Sequence, residues 1–341
     1  MTVHIANINF EEELCENGNI PYEKAIQKHP FYLQLQFLPL LYADPDDLVL
    51  VSHLPPVSYL EGLSFKPPHI ALLSSTIPPS YIELKSWGYS KGVADYAKEK
   101  GLLYLCPEME TVKKVHSKAY PLENAPKKAG SCLLKNEKEV EDWLKKEPFP
   151  KVLKKVLGAS GRGHLVLMDE KDLPKISSFL RNAHFPLRGE RWLNKVLEFS
   201  TQWEVGEKNT LLGTTIFKSS PKGSYQSTIV GRQEEIPYIA EHLEIASEFL
   251  KKVYAQGYFG PMGLDAFIYE ENGKTYLYPI LESNARRTMS WAALQIQRRY
   301  FLNEKMTFSY LPSIEPGLLP SYLEIDGKKV HFSNSFSFVL G

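Results

Sequence analysis

Short runs of consecutive apolar residues, set between proline-rich and polar stretches, mark the first third of the chain. Residues 47–51 (DLVLV), 69–73 (HIALL) and 102–106 (LLYLC) lack the alternation of a half-exposed strand and predict strands covered on both faces. Between the last two, Ser90 is placed to cap a helix carrying Val93, Tyr96 and Ala97, with Gly101 to end it. This β–α–β order predicts a small parallel sheet in a domain spanning residues 1–110. Ser52, His53, Ser74 and Ser75 fall at the carboxyl ends of those strands, where open parallel sheets gather ligands, and serve equally well as ordinary loop residues. Further on, Val140, Trp143 and Leu144 recur at helical spacing, and Ile239, Leu243, Ala246, Leu250 and Val253 form the apolar stripe of a helix over 238–254. Strands are predicted over 151–157, 165–168, 211–218 and 225–232. A helix follows from Trp291, and residues 301–341, with Phe332, Phe336 and Phe338, read as a tail that packs on the core.

The stretch 263–287, GLDAFIYEENGKTYLYPILESNARR, predicts a β-hairpin. Asn272-Gly273 tolerates the positive φ that a type I′ turn needs at both central positions. If Glu271 and Lys274 close the turn, Asp265 lies opposite Ile280, and Glu282 and Asn284 share its face. Asp265 and Glu282 are then diagonal neighbours, roughly 7–8 Å apart along the backbone. Two carboxylates and an amide suit a hard cation such as Mg²⁺. A salt-bridge network with Arg286 or Arg287 is the competing reading of the same residues.

Upstream, the segment 149–169, FPKVLKKVLGASGRGHLVLMD, carries a glycine-rich loop, Gly158, Ser160, Gly161 and Gly163, between two β-type runs. Glycines let backbone N–H groups approach phosphate oxygens. The spacing imitates a P-loop, but His164-Leu165 stands where Lys-[Ser/Thr] is required, and the loop opens a strand where a P-loop or dinucleotide fold opens a helix. The segment is a strand–loop–strand flap.

Composition narrows the class further. In 341 residues, Lys+Arg and Asp+Glu are equal at 40 each, so no overall field points to nucleic acid or an anionic membrane. Cys15, Cys106 and Cys132 are scattered, which suits a reducing, cytoplasmic setting. No apolar run reaches the roughly 18 residues of a membrane span, and the first residues do not read as a signal peptide. Nine histidines without HExxH or a Cys/His cluster give no zinc site.

The two motifs in this order resemble the ATP-grasp superfamily of carboxylate–amine ligases over about residues 111–300. The resemblance implies an α/β fold, with a small parallel-sheet domain preceding a two-lobed ATP-grasp domain (111–200 with the glycine-rich loop, 201–300 with the metal site). It implies Lys118 and Lys154 on the phosphates of ATP, with Lys155 as the alternative because neighbouring strand residues face opposite ways. Glu198 and Phe199 of KVLEFS match the hinge that contacts adenine, and His164 lies beside the phosphate loop. Asp265, Glu282 and Asn284 match the Mg²⁺ ligands; Arg286, with Arg287 in reserve, would steady a substrate carboxylate, and Arg232 an acyl phosphate. The implied activity is ADP-forming ligation of a small carboxylate to an amine, and the resemblance leaves a homodimer open. A small-molecule kinase and a non-catalytic ATP-binding regulator are the other functions this fold would carry.

Overall fold

The computed structural model describes residues 1–15, 29–158, 163–181, 183–220, 225–302, 304–312 and 317–341. The chain divides into two interleaved compact units. One comprises residues 1–109, 226–231 and 286–341, the other 110–225 and 232–285. By contacts, residues 226–231 and 286–341 group with the N-terminal strands.

The first unit holds a four-stranded parallel sheet of β1 (Thr2–Ile5), β2 (Leu48–Val51), β3 (His69–Leu72) and β4 (Glu83–Ser86), in the order β3-β2-β1-β4. Val3, Ile5, Leu48, Leu50 and Leu84 pack with Val93, Tyr96 and Ala97 of the helix Lys91–Glu99. Ser90 Oγ accepts from the Val93 N–H at 3.4 Å, and Gly101 ends the helix with φ +69°, both as the sequence predicts. The run 102–106 is not a full strand. It makes one parallel bridge, Leu103 to Glu83, and leaves Leu103 and Leu105 more than half exposed. The strand beside β1 is instead the polar ELKS of β4, which buries only Leu84 and Ser86 and so lacks the all-apolar signature. In the same unit β11 (Tyr225–Val230) pairs antiparallel with β14 (Met306–Pro312), and β14 with β17 (Asn334–Leu340). Phe336 is enclosed and stacked on Phe308, whereas Phe338 stays exposed. A small hairpin, β15 (Tyr322–Ile325) and β16 (Lys328–His331), lies between β14 and β17 in sequence.

The second unit has two antiparallel layers. Its smaller sheet has the order β5-β8-β6-β7, from β5 (Cys132–Leu134), β6 (Lys151–Lys155), β7 (His164–Leu167) and β8 (Leu187–Arg191). The helix Glu137–Lys146, capped by Asn136, sets Val140 and Trp143 against Leu134, Leu153 and Leu187. Gly189 permits this contact, because a Cβ there would come 2.8 Å from the Trp143 ring. The larger layer contains, side by side, β13 (Lys274–Asn284), β12 (Gly260–Glu271), β9 (Asn194–Val205) and β10 (Thr210–Ser219). The helix Ile239–Ala255 buries Ala246, Leu250 and Val253 of the predicted stripe and Phe249 beside it, while Ile239 and Leu243 of the stripe are half-buried.

The turn of the β12–β13 hairpin has φ +54° at Asn272 and +71° at Gly273. Pairing follows the predicted register from Glu271↔Lys274 to Phe267↔Tyr278, then shifts, so that Asp265 faces Glu282 and Gly263 faces Asn284. The expected Asp265↔Ile280 pair is thus replaced. Two surplus residues on β13 form a bulge that begins at Pro279, which has no N–H to give the ladder.

Candidate functional site

The bulge turns a diagonal carboxylate pair into a direct cross-strand pair, with backbones roughly 5 Å apart. Asn284 donates from Nδ2 to Asp265 Oδ2 at 2.9 Å. The Ser200 hydroxyl donates to Asp265 Oδ1 at 2.7 Å and receives the Gln202 amide N–H at 2.7 Å. Asp265 is oriented from both neighbouring strands. Among the described residues no three His, Cys, Asp or Glu side chains stand together as a metal cage. Two carboxylates and an amide fit a cation that draws its remaining ligands from water and phosphate oxygens, as Mg²⁺ does, and do not fit zinc.

Lys118 joins this hairpin to the glycine loop. Its Nζ donates to the Gly158 carbonyl at 2.8 Å and stands 3.5 Å from Glu282 Oε1. Burial opposes charge on Glu282, but Lys118 foremost outweighs it and holds the carboxyl at about 2. Lys154 and Lys155 separate as alternate strand residues must. Lys154 is buried and ion-paired with Glu190, while the stem of Lys155 lies across Gly163. Gly158 and Gly163 both have positive φ, +134° and +89°, and the Gly163 carbonyl accepts the Lys155 N–H at 2.9 Å, extending the β6–β7 ladder. Ser160 and Gly161 lie outside the described residues.

Arg188 and Glu190, which sequence reasoning missed, form the centre of this charge cluster. Arg188 donates to Glu190 Oε2 from Nε at 3.0 Å and from Nη2 at 2.6 Å, and Nη2 also reaches the Tyr278 hydroxyl at 2.9 Å. Burial works against ionised Glu190, yet Arg188 and Lys154 hold its carboxyl at about 2. Burial also lowers the pKa of Lys154, against the pull of Glu190. His164, pressed by burial and then by Lys154, is held neutral, at about 3. The available signal was the charge alternation in LRGER, which puts Arg188 and Glu190 on one face of a strand.

Glu198 lies on β9, paired with Lys195 at 2.6 Å, whereas Phe199 is enclosed with its ring edge-on to His242. Arg232 stands 3.4 Å from Glu235. In the first unit, Arg286 is held by Glu11 Oε1, at 3.0 Å from Nε and 2.7 Å from Nη2. Arg287 lies over the Trp291 ring, 4.6 Å from its centroid. Ser52 is tied to Gln36 Oε1 through its N–H and hydroxyl.

Behind Asp265, a neutral histidine is built into the core. His242 faces the Pro279 carbonyl with Nδ1 at 2.9 Å, so Nδ1 carries the proton. Nε2 then accepts the Thr201 hydroxyl at 2.9 Å, which itself accepts the Trp203 N–H at 2.9 Å. Burial drives the His242 pKa from 6.5 down to about 4. The unfolded chain therefore binds a proton that the folded state refuses, and stability rises with pH across that window. Acidification from pH 6.5 to 4 is expected to cost up to about 3 kcal/mol through this group. Urea unfolding as a function of pH, flattened in this window by His242→Asn, measures it.

No protein-family model and no curated protein matches the chain. Solved structures do. The chain superposes over its whole length on an N5-carboxyaminoimidazole synthetase from Staphylococcus aureus complexed with ADP, at TM-score 0.59, 14% identity and 93% of that chain. A phosphoribosylamine–glycine ligase from Thermotoga maritima gives 0.59, 15% and 93%, again over the whole of this chain. The biotin carboxylase domain of the Hydrogenobacter thermophilus 2-oxoglutarate carboxylase, in complex with MgADP, ADP and bicarbonate, gives 0.56 and 13%, over all of this chain and 86% of that one. The chain has the ATP-grasp fold. Among the described residues, no helix is long and apolar enough to cross a membrane.

Proposed function

We propose that the protein is an ATP-dependent, ADP-forming ligase that activates a small carboxylate as an acyl phosphate and joins it to an amine. The observation that carries this reading is the position of Lys118, between the carbonyl of Gly158 on the phosphate flap and the carboxylate of Glu282 on the metal hairpin. One ammonium there spans the two motifs that phosphoryl transfer needs together, an anion cradle and a cation site. Solved structures of the same fold, bound to ADP or MgADP, agree with it.

On this reading Lys118 and Lys154 hold phosphate oxygens, and Glu190 with Arg188 fixes where the Lys154 ammonium sits. A glycine-rich loop over the phosphates would exclude water, which otherwise hydrolyses an acyl phosphate. Asp265, Glu282 and Asn284 would hold Mg²⁺, which would supply charge neutralisation for phosphoryl transfer. Glu198 is assigned the adenine edge, since the Phe199 ring is enclosed. Arg286, backed by Arg287, is assigned the substrate carboxylate, and Arg232 the acyl phosphate. The expected setting is cytoplasmic, with small molecules as the partners.

The test is ADP release from Mg²⁺-ATP against pools of amino acids and small carboxylates, each with and without added amines, with products identified by mass. Amine-dependent ADP release with an amide product is expected. A phosphorylated product that no amine consumes would assign a kinase instead, and tight ATP binding without turnover would assign a regulator.

A further inference from the structure

The direct pairing of Asp265 with Glu282 depends on a bulge that the hairpin alone does not hold. Ala266 stands against three residues, Pro279, Ile280 and Leu281, so two of them are surplus to the ladder. Carbonyls drawn out of a buried ladder need other donors. The Pro279 carbonyl is taken by His242 Nδ1 at 2.9 Å, and the Leu281 carbonyl by Arg188 Nη1 at 2.8 Å. Both donors are buried, at 0% and 1% exposure. Ile280 between them is buried and anchors the bulge in the core. Without the bulge the register would run on, Asp265 would face Ile280, and Glu282 would move two residues, about 7 Å, along the strand.

We propose that His242 is a positioning residue for the Asp265–Glu282 pair, holding the Pro279 bulge that sets the two carboxylates opposite each other. This rests on the metal-site reading above. The Pro279 carbonyl can only accept, so the neutral imidazole keeps its proton on Nδ1, and Nε2 is then satisfied by the Thr201 hydroxyl, whose oxygen takes the Trp203 N–H. Arg188 is the second clamp, but its bonds to Glu190 make it a poor probe.

Two substitutions separate positioning from mere packing. In His242→Asn the amide nitrogen replaces Nδ1 and still reaches Pro279. In His242→Gln the amide reaches the place of Nε2, serving Thr201 and abandoning Pro279. Backbone hydrogen exchange on the full-length variants, read over 262–266 and 278–284, is paired with Mn²⁺ titration by electron paramagnetic resonance in the presence of ADP. His242→Gln is expected to lose protection in those two segments alone and to bind Mn²⁺ about tenfold more weakly, with His242→Asn within about twofold of the parent. Unchanged protection in His242→Gln overturns the proposal, and so does an equal loss across the whole sheet in both variants. If exchange separates the variants as expected while the parent binds no Mn²⁺, the clamp stands and the metal-site reading falls.

Discussion

Replacing Glu282 by glutamine is expected to lower Mg²⁺-dependent ATP turnover by at least about a hundredfold while leaving the fold intact. The exchange keeps shape and length and removes one charge of the two that face each other across the hairpin. Mg²⁺ binds through few protein carboxylates, so losing one removes a large share of what the chain itself offers. The variant also frees Lys118 from its only carboxylate partner among the described residues. An unpaired ammonium attracts phosphate more strongly, so ADP binding without metal is expected to hold or tighten while turnover falls. That opposite movement separates loss of a metal ligand from general damage. Stability should fall by about 1–3 kcal/mol, because Lys118 foremost holds the Glu282 carboxyl at about 2, an effect softened by the 3.5 Å length of that pair and the 24% of the side chain left in solvent. Steady-state ADP release, metal-free ADP binding and thermal melting of the same preparation settle it. Wild-type turnover in Glu282→Gln would remove Glu282 from the metal site.

Much of this hairpin was legible because its signals are local. Asn272-Gly273 sets the turn, and the period of two then carries the register as far as Phe267↔Tyr278. Beyond that point register depends on partners 37 and 93 residues away in sequence, His242 and Arg188, which no local pattern announces. Pro279 was the one visible warning, since a proline in a strand asks for an edge or a bulge, and β13 has both. The choice between Lys154 and Lys155 was likewise closed to local reasoning. Alternation separates their faces, but only Glu190, brought alongside by the β6–β8 pairing, says which face is inside. The run 102–106 misled for the opposite reason. Apolar content reads as burial, yet Leu103 and Leu105 lie exposed at the edge of the sheet, where one bridge is all that forms.

Glu190→Ala should be the most destabilising single change in the charged cluster, by about 3–5 kcal/mol. Lys154 and Arg188 are 5% and 1% exposed, and Glu190 neutralises both. Without it, two cations face each other out of water. Lys154 can escape by losing its proton, a direction its burial already favours. Arg188 cannot, because guanidinium does not deprotonate in proteins, so the cost concentrates there. Glu190→Gln keeps an acceptor for Arg188 but not the charge, and should fall between the alanine variant and the parent. Because the pair is buried, salt should not restore the loss, whereas it would screen a surface pair. The pH dependence has a definite sign. Glu190 titrates at about 2 in the folded state and near 4.5 unfolded, so its contribution is complete above 4.5 and fades as pH falls toward 2. The Glu190 contribution itself is constant from pH 5 to 8 and fades below, whereas proton loss from Lys154 in Glu190→Ala makes that variant gain stability as pH rises, so the gap should narrow toward pH 8 as well as below pH 5. Urea unfolding of the three proteins across that range tests each step. A gap under about 1 kcal/mol at pH 7 would mean that solvent reaches the cluster and that Glu190 does not hold Lys154 in place.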